Sequence, residues 1–338
     1  MGIVTLLSPS GTIPNTLPTF NWDDSALQNI AYHFQLASDG SFEGIMEEAT
    51  DLNSSNYTPT TVLSNGATYY CRLAVIDENG VEGSWSASFS LTIDLSTVAL
   101  TSPSQGAYTN DTTPSFTWGA NENAASYAFA LSESSDLSNP VVNESGITDT
   151  SYALTSALSD TDSTTYYWAV TPVDTNGVLG TQSDTWSFTL DTTAPTGSIT
   201  INSNDINTWS STVTLNHSAT DTSIITGYYA SLNSTTPASD DVGWTDITPA
   251  DSYSDNVSFT LSGDYGNKTV YVWFKDAAAN LSEVRNDSIN WRAFTARIIT
   301  GGAENATSVY AIDVDGDGDV DVLSASHDDN KIAWYENE

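Results

Sequence analysis

Apolar and polar residues alternate with a period of two along much of this chain. Tyr69, Cys71, Leu73 and Val75 form one such stripe, and Phe34 with Leu36, and Phe129 with Leu131, form shorter ones. Residues two apart share one face of a strand, so each stripe predicts a half-buried β-strand. Convincing helical periodicity is absent. Asn79-Gly80 and Asn176-Gly177 follow the longest stripes, where a tight turn needs the positive φ that Asn and Gly tolerate best.

The pattern also repeats. Ser8-Pro9-Ser10-Gly11 returns as Ser102-Pro103-Ser104-Gln105-Gly106, and Pro18-Thr19-Phe20-Asn21-Trp22 as Pro114-Ser115-Phe116-Thr117-Trp118. Tyr69-Tyr70-Cys71-Arg72-Leu73-Ala74-Val75 matches Tyr166-Tyr167-Trp168-Ala169-Val170-Thr171-Pro172, and Asp77-Glu78-Asn79-Gly80 matches Asp174-Thr175-Asn176-Gly177. Two tandem copies of about 95 residues, each with several short strands and frequent turn signals, predict two β-sandwiches over 1–95 and 96–191.

Within each copy a family resemblance emerges. Phe20-x-Trp22, followed by Leu63-x5-Tyr69-x-Cys71-x-Leu73-x-Val75, resembles the fibronectin type III pattern, with Trp118, Leu158, Tyr166, Trp168 and Val170 as the second set. The resemblance implies a tryptophan on an early strand packed beneath a strand that begins with a buried tyrosine. It is nearly silent on function, because such modules serve as spacers, binders and adhesive units. Asp191-Thr192-Thr193-Ala194-Pro195 reads as a linker into a third module over 192–291. Strands are expected there at Ser198–Ile201, Thr212–Leu215, Ile225–Ser231, Val257–Leu261 and Thr269–Lys275. Thr269 to Asp276, followed by Asn280, resembles the penultimate strand and hairpin of bacterial immunoglobulin-like surface domains.

Residues 292–338 carry the most chemistry. Asp313-Val314-Asp315-Gly316-Asp317-Gly318-Asp319-Val320-Asp321 sets carboxylates at alternate positions around a glycine-bearing bend. Ca²⁺ takes six to eight hard oxygen ligands, so Asp313, Asp315, Asp317, Asp319 and Asp321 are the candidate ligands, Asp319 through its carbonyl. An EF-hand needs an acidic residue at position 12 and helical flanks, but position 12 is Ser324 and the flanks read as strands. With Phe294, Ile298, Val309-Tyr310-Ala311 and Ile332-Ala333-Trp334-Tyr335, the loop resembles an FG-GAP or VCBS repeat. Such repeats form the blades of calcium-binding β-propellers, which need about four to eight of them. One blade leaves three readings: an excerpt of a longer protein, a blade packed on the third sandwich, or a sheet completed by another chain.

Composition narrows the partners. The chain has 338 residues, 43 acidic and 7 basic, for a net charge of −36. Such charge suits disorder, but 11% aromatic residues, with ten tryptophans, indicate folded domains with acidic surfaces. Only Arg72 precedes Lys268 among the basic residues, which argues against nucleic acid and anionic membranes as partners. No apolar run spans a bilayer, and Met1-Gly2-Ile3 leads into strand-like sequence without a secretory signal, consistent with a removed signal or an excised segment. The single cysteine, Cys71, excludes an intrachain disulfide and is expected to fill core space at the position of Trp168. His33, His217 and His327 have no ligand spacing, although His327 is close enough in sequence to tune the aspartate loop. Asp77, Asp174 and Asp276 each open a hairpin and are expected to stabilise its turn rather than hold an interdomain ion. Trp22, Trp118 and Trp168 belong to the core by pattern, and an exposed pair among the other tryptophans would stack on sugar rings.

Enzyme signatures are missing. The expectation is therefore an all-β, non-catalytic, secreted and cell-surface segment. Its Ig/fibronectin-type sandwiches hold a Ca²⁺-stiffened β element toward other copies of itself, surface proteins or glycans. The alternative is an accessory carbohydrate-binding or spacer region of a secreted polysaccharide-degrading enzyme.

Overall fold

The computed structural model describes residues 4–23, 31–160, 163–293, 305–314, 320–328 and 330–335. Every regular element among them is a strand, and no helix is long and apolar enough to cross a membrane. The fold class is all-β with tandem sandwiches, as the alternation predicts. The chain forms two compact units, one of Met1–Ile199, Asn216–Asp255 and Val270–Asn286, the other of Thr200–Leu215, Asn256–Thr269 and Asp287–Glu338.

The first unit opens with β1 (Thr5–Ser8), β2 (Gly11–Ile13), β3 (Phe20–Asp23), β4 (Ala31–Ala37), β5 (Ile45–Leu52), β6 (Asn56–Tyr57), β7 (Thr68–Ile76) and β8 (Phe89–Ile93). They form a three-stranded sheet, β1-β3-β6, and a five-stranded sheet, β2-β8-β7-β4-β5. Strands β9 (Leu100–Ser102), β10 (Ala107–Thr109), β11 (Ser115–Trp118), β12 (Ser126–Ser132), β13 (Val142–Ile147), β14 (Ser151–Ala153), β15 (Thr164–Val173) and β16 (Trp186–Leu190) repeat both sheets, as β14-β11-β9 and β10-β16-β15-β12-β13. The recurring Ser-Pro and Gly signal marks where the chain leaves one sheet for the other. Gly11 and Gly106, at φ +71° and +74°, make that switch without Cβ strain.

Alternation fills both cores. Phe20 and Trp22 from one sheet meet Phe34, Leu36, Cys71 and Leu73 from the other, and Phe116 and Trp118 meet Phe129, Leu131, Trp168 and Val170 in the second copy. Cys71 faces Leu36 across the sheet as Trp168 faces Leu131, so the two are equivalent, and Phe89 and Trp186 flank them on the next strand. Burial pushes the Cys71 thiol up to about 12, which leaves it inert as a nucleophile. Tyr69 and Tyr166, each at the start of its strand, accept a hydrogen bond from Ser64 N at 2.9 Å and donate one to the Ser159 carbonyl at 2.6 Å respectively. These bonds satisfy the phenol of an otherwise buried ring.

The two sandwiches meet through direct contacts. Thr181 N donates to the Leu95 carbonyl at 2.9 Å, and Asn65 accepts Leu95 N at 2.7 Å. A Cβ on Gly180 would lie 2.8 Å from Pro172 and 2.9 Å from Leu95, so only glycine fits that approach. Thr16, with no exposed surface, donates its hydroxyl to Asp174, and Asn176 Nδ2 reaches Thr16 Oγ1 at 2.9 Å. Burial opposes the Asp174 charge, but the bonds from Thr16, Val178 N and Asn176 outweigh it and hold the carboxyl below the usual carboxylate range. Asp77 and Asp174 stabilise their turns as expected, each carboxylate accepting from two backbone N–H groups. Only Gly80 and Gly177 take positive φ in these turns, at +76° and +79°, not the preceding asparagines.

The later strands are β17 (Thr196–Ile201), β18 (Asn207–Thr208), β19 (Thr212–Ser231), β20 (Thr245–Thr260), β21 (Gly266–Asp276), β22 (Arg285–Trp291), β23 (Ala306–Ile312), β24 (Asp321–Ser326) and β25 (Lys331–Tyr335). Thr212–Leu215 and Ile225–Ser231, expected as two strands, are the ends of the single strand β19, and of the expected Val257–Leu261 the first four residues end a longer β20 while Leu261 lies just past it. In the first unit Ile225 to Ser231 pair antiparallel with Asp276 to Tyr271, and His217 packs against Tyr228, Tyr253 and Phe274 at ring distances of 4.5, 5.4 and 5.9 Å. In the second unit β18 pairs parallel with Asn290–Trp291, and Tyr265 meets Trp291 edge-on at 4.8 Å.

Two outcomes follow for stability. Thr16→Val keeps the shape but removes the donor to a buried carboxylate, and should cost about 1–3 kcal/mol in denaturant unfolding at neutral pH. Asp174 has a depressed folded pKa, so its contribution is present above the unfolded carboxylate value of about 4 and is lost as pH falls through the folded value. The gap between wild type and variant should therefore shrink in that acid window. Ala279 takes φ +68° in the place of Gly80 and Gly177. Ala279→Gly should stabilise the chain by about 1 kcal/mol, measured the same way.

Candidate calcium-binding hairpin

The acidic loop joins two paired strands. β23 runs antiparallel to β24, with Ile312 opposite Asp321 and Tyr310 opposite Leu323, and β24 pairs with β25, Leu323 facing Trp334. The flanks are therefore strands, as the sequence suggested, and an EF-hand's helices have no place here. Ser324, at loop position 12, is a buried β24 residue between Val309 and Ala333, and its hydroxyl meets the Tyr335 hydroxyl at 3.4 Å.

Two of the five candidate ligands are placed. Asp321 has only 1% of its surface exposed, and its Oδ2 accepts Val314 N at 3.0 Å. That bond turns a buried carboxylate toward the loop and ties the first loop residues to the last. Asp313 follows Ile312, the partner of Asp321, so these two aspartates stand at the two ends of the loop where the strands meet. Asp315, Asp317 and Asp319 lie outside the described residues. The donor set fits a hard cation: every candidate is a carboxylate or peptide oxygen; Asp313 is half-buried, and the buried Asp321 is held inside by a backbone N–H.

His327 does not tune the loop. It sits just past the far end of β24, six residues and about 20 Å along the strand from Asp321. There its Nδ1 pairs with Asp328 at 2.7 Å, and its backbone N–H donates to the Asn305 carbonyl at 3.2 Å. His33 lies between Glu48 and Glu82 at 2.7 and 2.8 Å, and His217 is enclosed by aromatic rings, so the histidines serve three separate local networks.

Basic residues are likewise engaged locally. The Arg72 guanidinium stacks between Phe42 and Trp85 at 4.1 and 4.4 Å and donates to Gln35 Oε1 at 2.7 Å. Lys275 lies over Trp244 at 4.9 Å, and Arg285 Nε donates to the Gly197 carbonyl at 2.8 Å. Trp22, Trp118 and Trp168 are buried as the pattern required. Sequence reasoning missed the grouping of Asp191 and Asp221 with Asp276. No local spacing signals it, because the three come from distant parts of the chain.

The sequence matches no protein-family model and no curated protein. Among solved structures, the chain is similar to the chicken CNTN1 FN1–FN3 domains, at 14% identity and a TM-score of 0.34, over 86% of this chain and 97% of that one. It is similar to the Clostridium thermocellum CbhA fibronectin(III)-like modules at 13% and 0.37, over 58% of this chain and 94% of that one. A tetra-tandem repeat in the extending region of a large adhesion protein matches at 17% and 0.29, over 98% of this chain and 86% of that one. Likenesses this distant say nothing about activity or ligands.

Proposed function

We propose that this chain is a non-catalytic, extracellular modular segment whose sandwich domains carry a calcium-stabilised hairpin sheet of the FG-GAP or VCBS type, used in adhesion or in building a layer or filament from copies of itself. The supporting observation is the open state of that sheet. β24 is its middle strand, so among the described residues β23 and β25 are its edges. Val309, Tyr310, Ile332 and Trp334 are exposed by 65, 63, 84 and 46%. By register Tyr310, Leu323 and Trp334 share one face. A sheet edge with exposed aromatic and β-branched residues is a template for a strand from another chain. Ca²⁺ would neutralise the clustered aspartates and fix the β23–β24 turn, so that the edge is presented in one register. Asp313, Asp315, Asp317, Asp319 and Asp321 are the residues that would hold it.

A second reading, an accessory carbohydrate-binding or spacer region of a secreted polysaccharide-degrading enzyme, draws on Trp209, a large ring with 52% of its surface exposed.

Calorimetry and sedimentation separate these readings. Wild type should take up Ca²⁺ in the hairpin, and Asp313→Ala/Asp317→Ala should lose that uptake. Calcium at about ten times its Kd should stabilise the hairpin by roughly 1.4 kcal/mol against chelator-treated protein. Larger species should form with calcium and be reduced by Ile332→Asp. Equal calcium uptake by wild type and the double variant would remove the metal. A chain that stays monomeric with calcium but binds glycans through Trp209, with binding lost in Trp209→Ala, would replace assembly with the second reading.

A further inference from the structure

Three carboxylates from separate segments of the first unit converge beside the 192–195 segment. Asp191 ends the second sandwich, Asp221 lies in β19, and Asp276 opens the hairpin that Asn280 closes. The hairpin is pinned in place: Asn280 Nδ2 donates to the Asp191 carbonyl at 2.8 Å, to the Thr193 carbonyl at 3.2 Å and to Asp276 Oδ2 at 2.8 Å. Ala277 N donates to the Ile224 carbonyl at 2.8 Å, which holds the same hairpin against β19.

The donors stop short of satisfying these groups. Asp191 has no exposed surface; its Oδ1 accepts Thr193 N at 3.0 Å, while its buried Oδ2 has no partner. Asp221 Oδ1 accepts Ser223 N at 3.0 Å, and its Oδ2 is also buried and unpartnered. Asp276 is 2% exposed, and both its oxygens are already taken by Asn280. Burial, with the charges of Asp191 and Asp221, pushes Asp276 up to about 6 despite those bonds. Lys275, next in sequence, turns its ammonium to Trp244 and the Ser239 carbonyl. An unpaired buried carboxylate oxygen is expensive, and here there are two beside a third charge.

The corresponding position in the first repeat differs. Asp94 donates its N–H to Ile13 as Asp191 does to Thr109, but Asp94 is exposed, and the neighbouring Asp174 is satisfied by Thr16 and Asn176. The second junction therefore carries two more buried carboxylates and lacks that hydroxyl solution.

We propose that Asp191 and Asp221 bind a hard divalent cation through their unpartnered Oδ2 atoms, with Asp276 beside it and the Asp276–Asn280 hairpin held by it. No three acidic or imidazole side chains among the described residues already stand at ligating spacing. Two carboxylates therefore ligate directly, and water and main-chain or hydroxyl oxygens complete the shell, as hard cations accept. A cavity of about 300 Å³ lined by Thr193, Thr220, Asp221 and Thr222 adjoins the group and gives an ion and its water a way in.

The site is separate from the aspartate hairpin of residues 313–321, and the test keeps them apart. Calcium titration of the full chain carrying Asp313→Asn/Asp317→Asn, near neutral pH, should still show one ion bound with a Kd of about 0.1–1 mM. Hydrogen exchange at Asp276 to Asn280 should slow about tenfold once that ion is bound, and equally in wild type. Adding Asp191→Asn should weaken binding at least tenfold and abolish the slowing. If that variant does not fold, Asp221→Asn, at the less buried of the two ligands, serves instead and should do the same. The proposal is overturned if calcium leaves these amides unchanged, or if they slow as much in Asp191→Asn or Asp221→Asn as in wild type. Loss of the slowing in Asp313→Asn/Asp317→Asn alone would also overturn it, by assigning the effect to the hairpin.

Discussion

Folding this chain means placing carboxylates with almost no cations to meet them. Seven basic residues face 43 acidic ones, and Arg72, Lys275 and Arg285 donate to an amide or peptide oxygen rather than to a carboxylate. Negative groups drawn into the structure must therefore be answered by neutral donors. Glu47 shows how far that can go: although burial opposes its charge, the Tyr57 hydroxyl and the Thr60 and Thr61 N–H groups bring it down to about 2. Those bonds tie β5 to the β6 strand and the loop beyond it, so the electrostatic requirement also sets how the two sheets of the first sandwich are joined.

The parts of the fold legible in the sequence are those where the buried stripe is made of strongly apolar side chains. Tyr69, Cys71, Leu73 and Val75 are all buried as their alternation implied, and the repeat carried the same inference to Trp168 and Val170. β19 was harder to read for a physical reason. Its inward stripe continues through Val213, Leu215, His217 and Ala219 to Ser223 and Ile225, but the middle members are weakly apolar or polar, so the period fades and the strand reads as two. β20 has no buried residue along Thr245–Thr260, and a strand without a buried face has no periodic signature to find.

The two acidic features differ in the same way. The 313–321 loop stands out in the sequence because its spacing is local: alternate aspartates and two glycines fall within nine residues. Its surroundings were also legible, since strand propensity on both flanks argued for a hairpin and the pairing of Ile312 with Asp321 agrees. Asp191, Asp221 and Asp276 carry no such spacing. Each looks like a turn or linker aspartate by itself, and each does accept backbone N–H bonds in that role. What distinguishes them is burial and convergence, which depend on where the Asp276 hairpin docks.

Repetition makes that convergence interpretable. The same structural position, the aspartate at the start of a hairpin, is buried against the preceding segment twice in the first unit. At Asp174 the neighbour is Thr16, whose hydroxyl donates, and the ionised form is favoured. At Asp276 the neighbours include Asp191 and Asp221, and the ionised form is disfavoured. Successive modules of this chain thus answer the burial of a hairpin-opening aspartate with opposite electrostatics. A hydroxyl closes the first contact permanently, because it needs nothing from solution. A cluster of like charges leaves the second dependent on what the solvent supplies, and this is how neighbouring contacts in a modular chain can differ in their response to ions while sharing one backbone design.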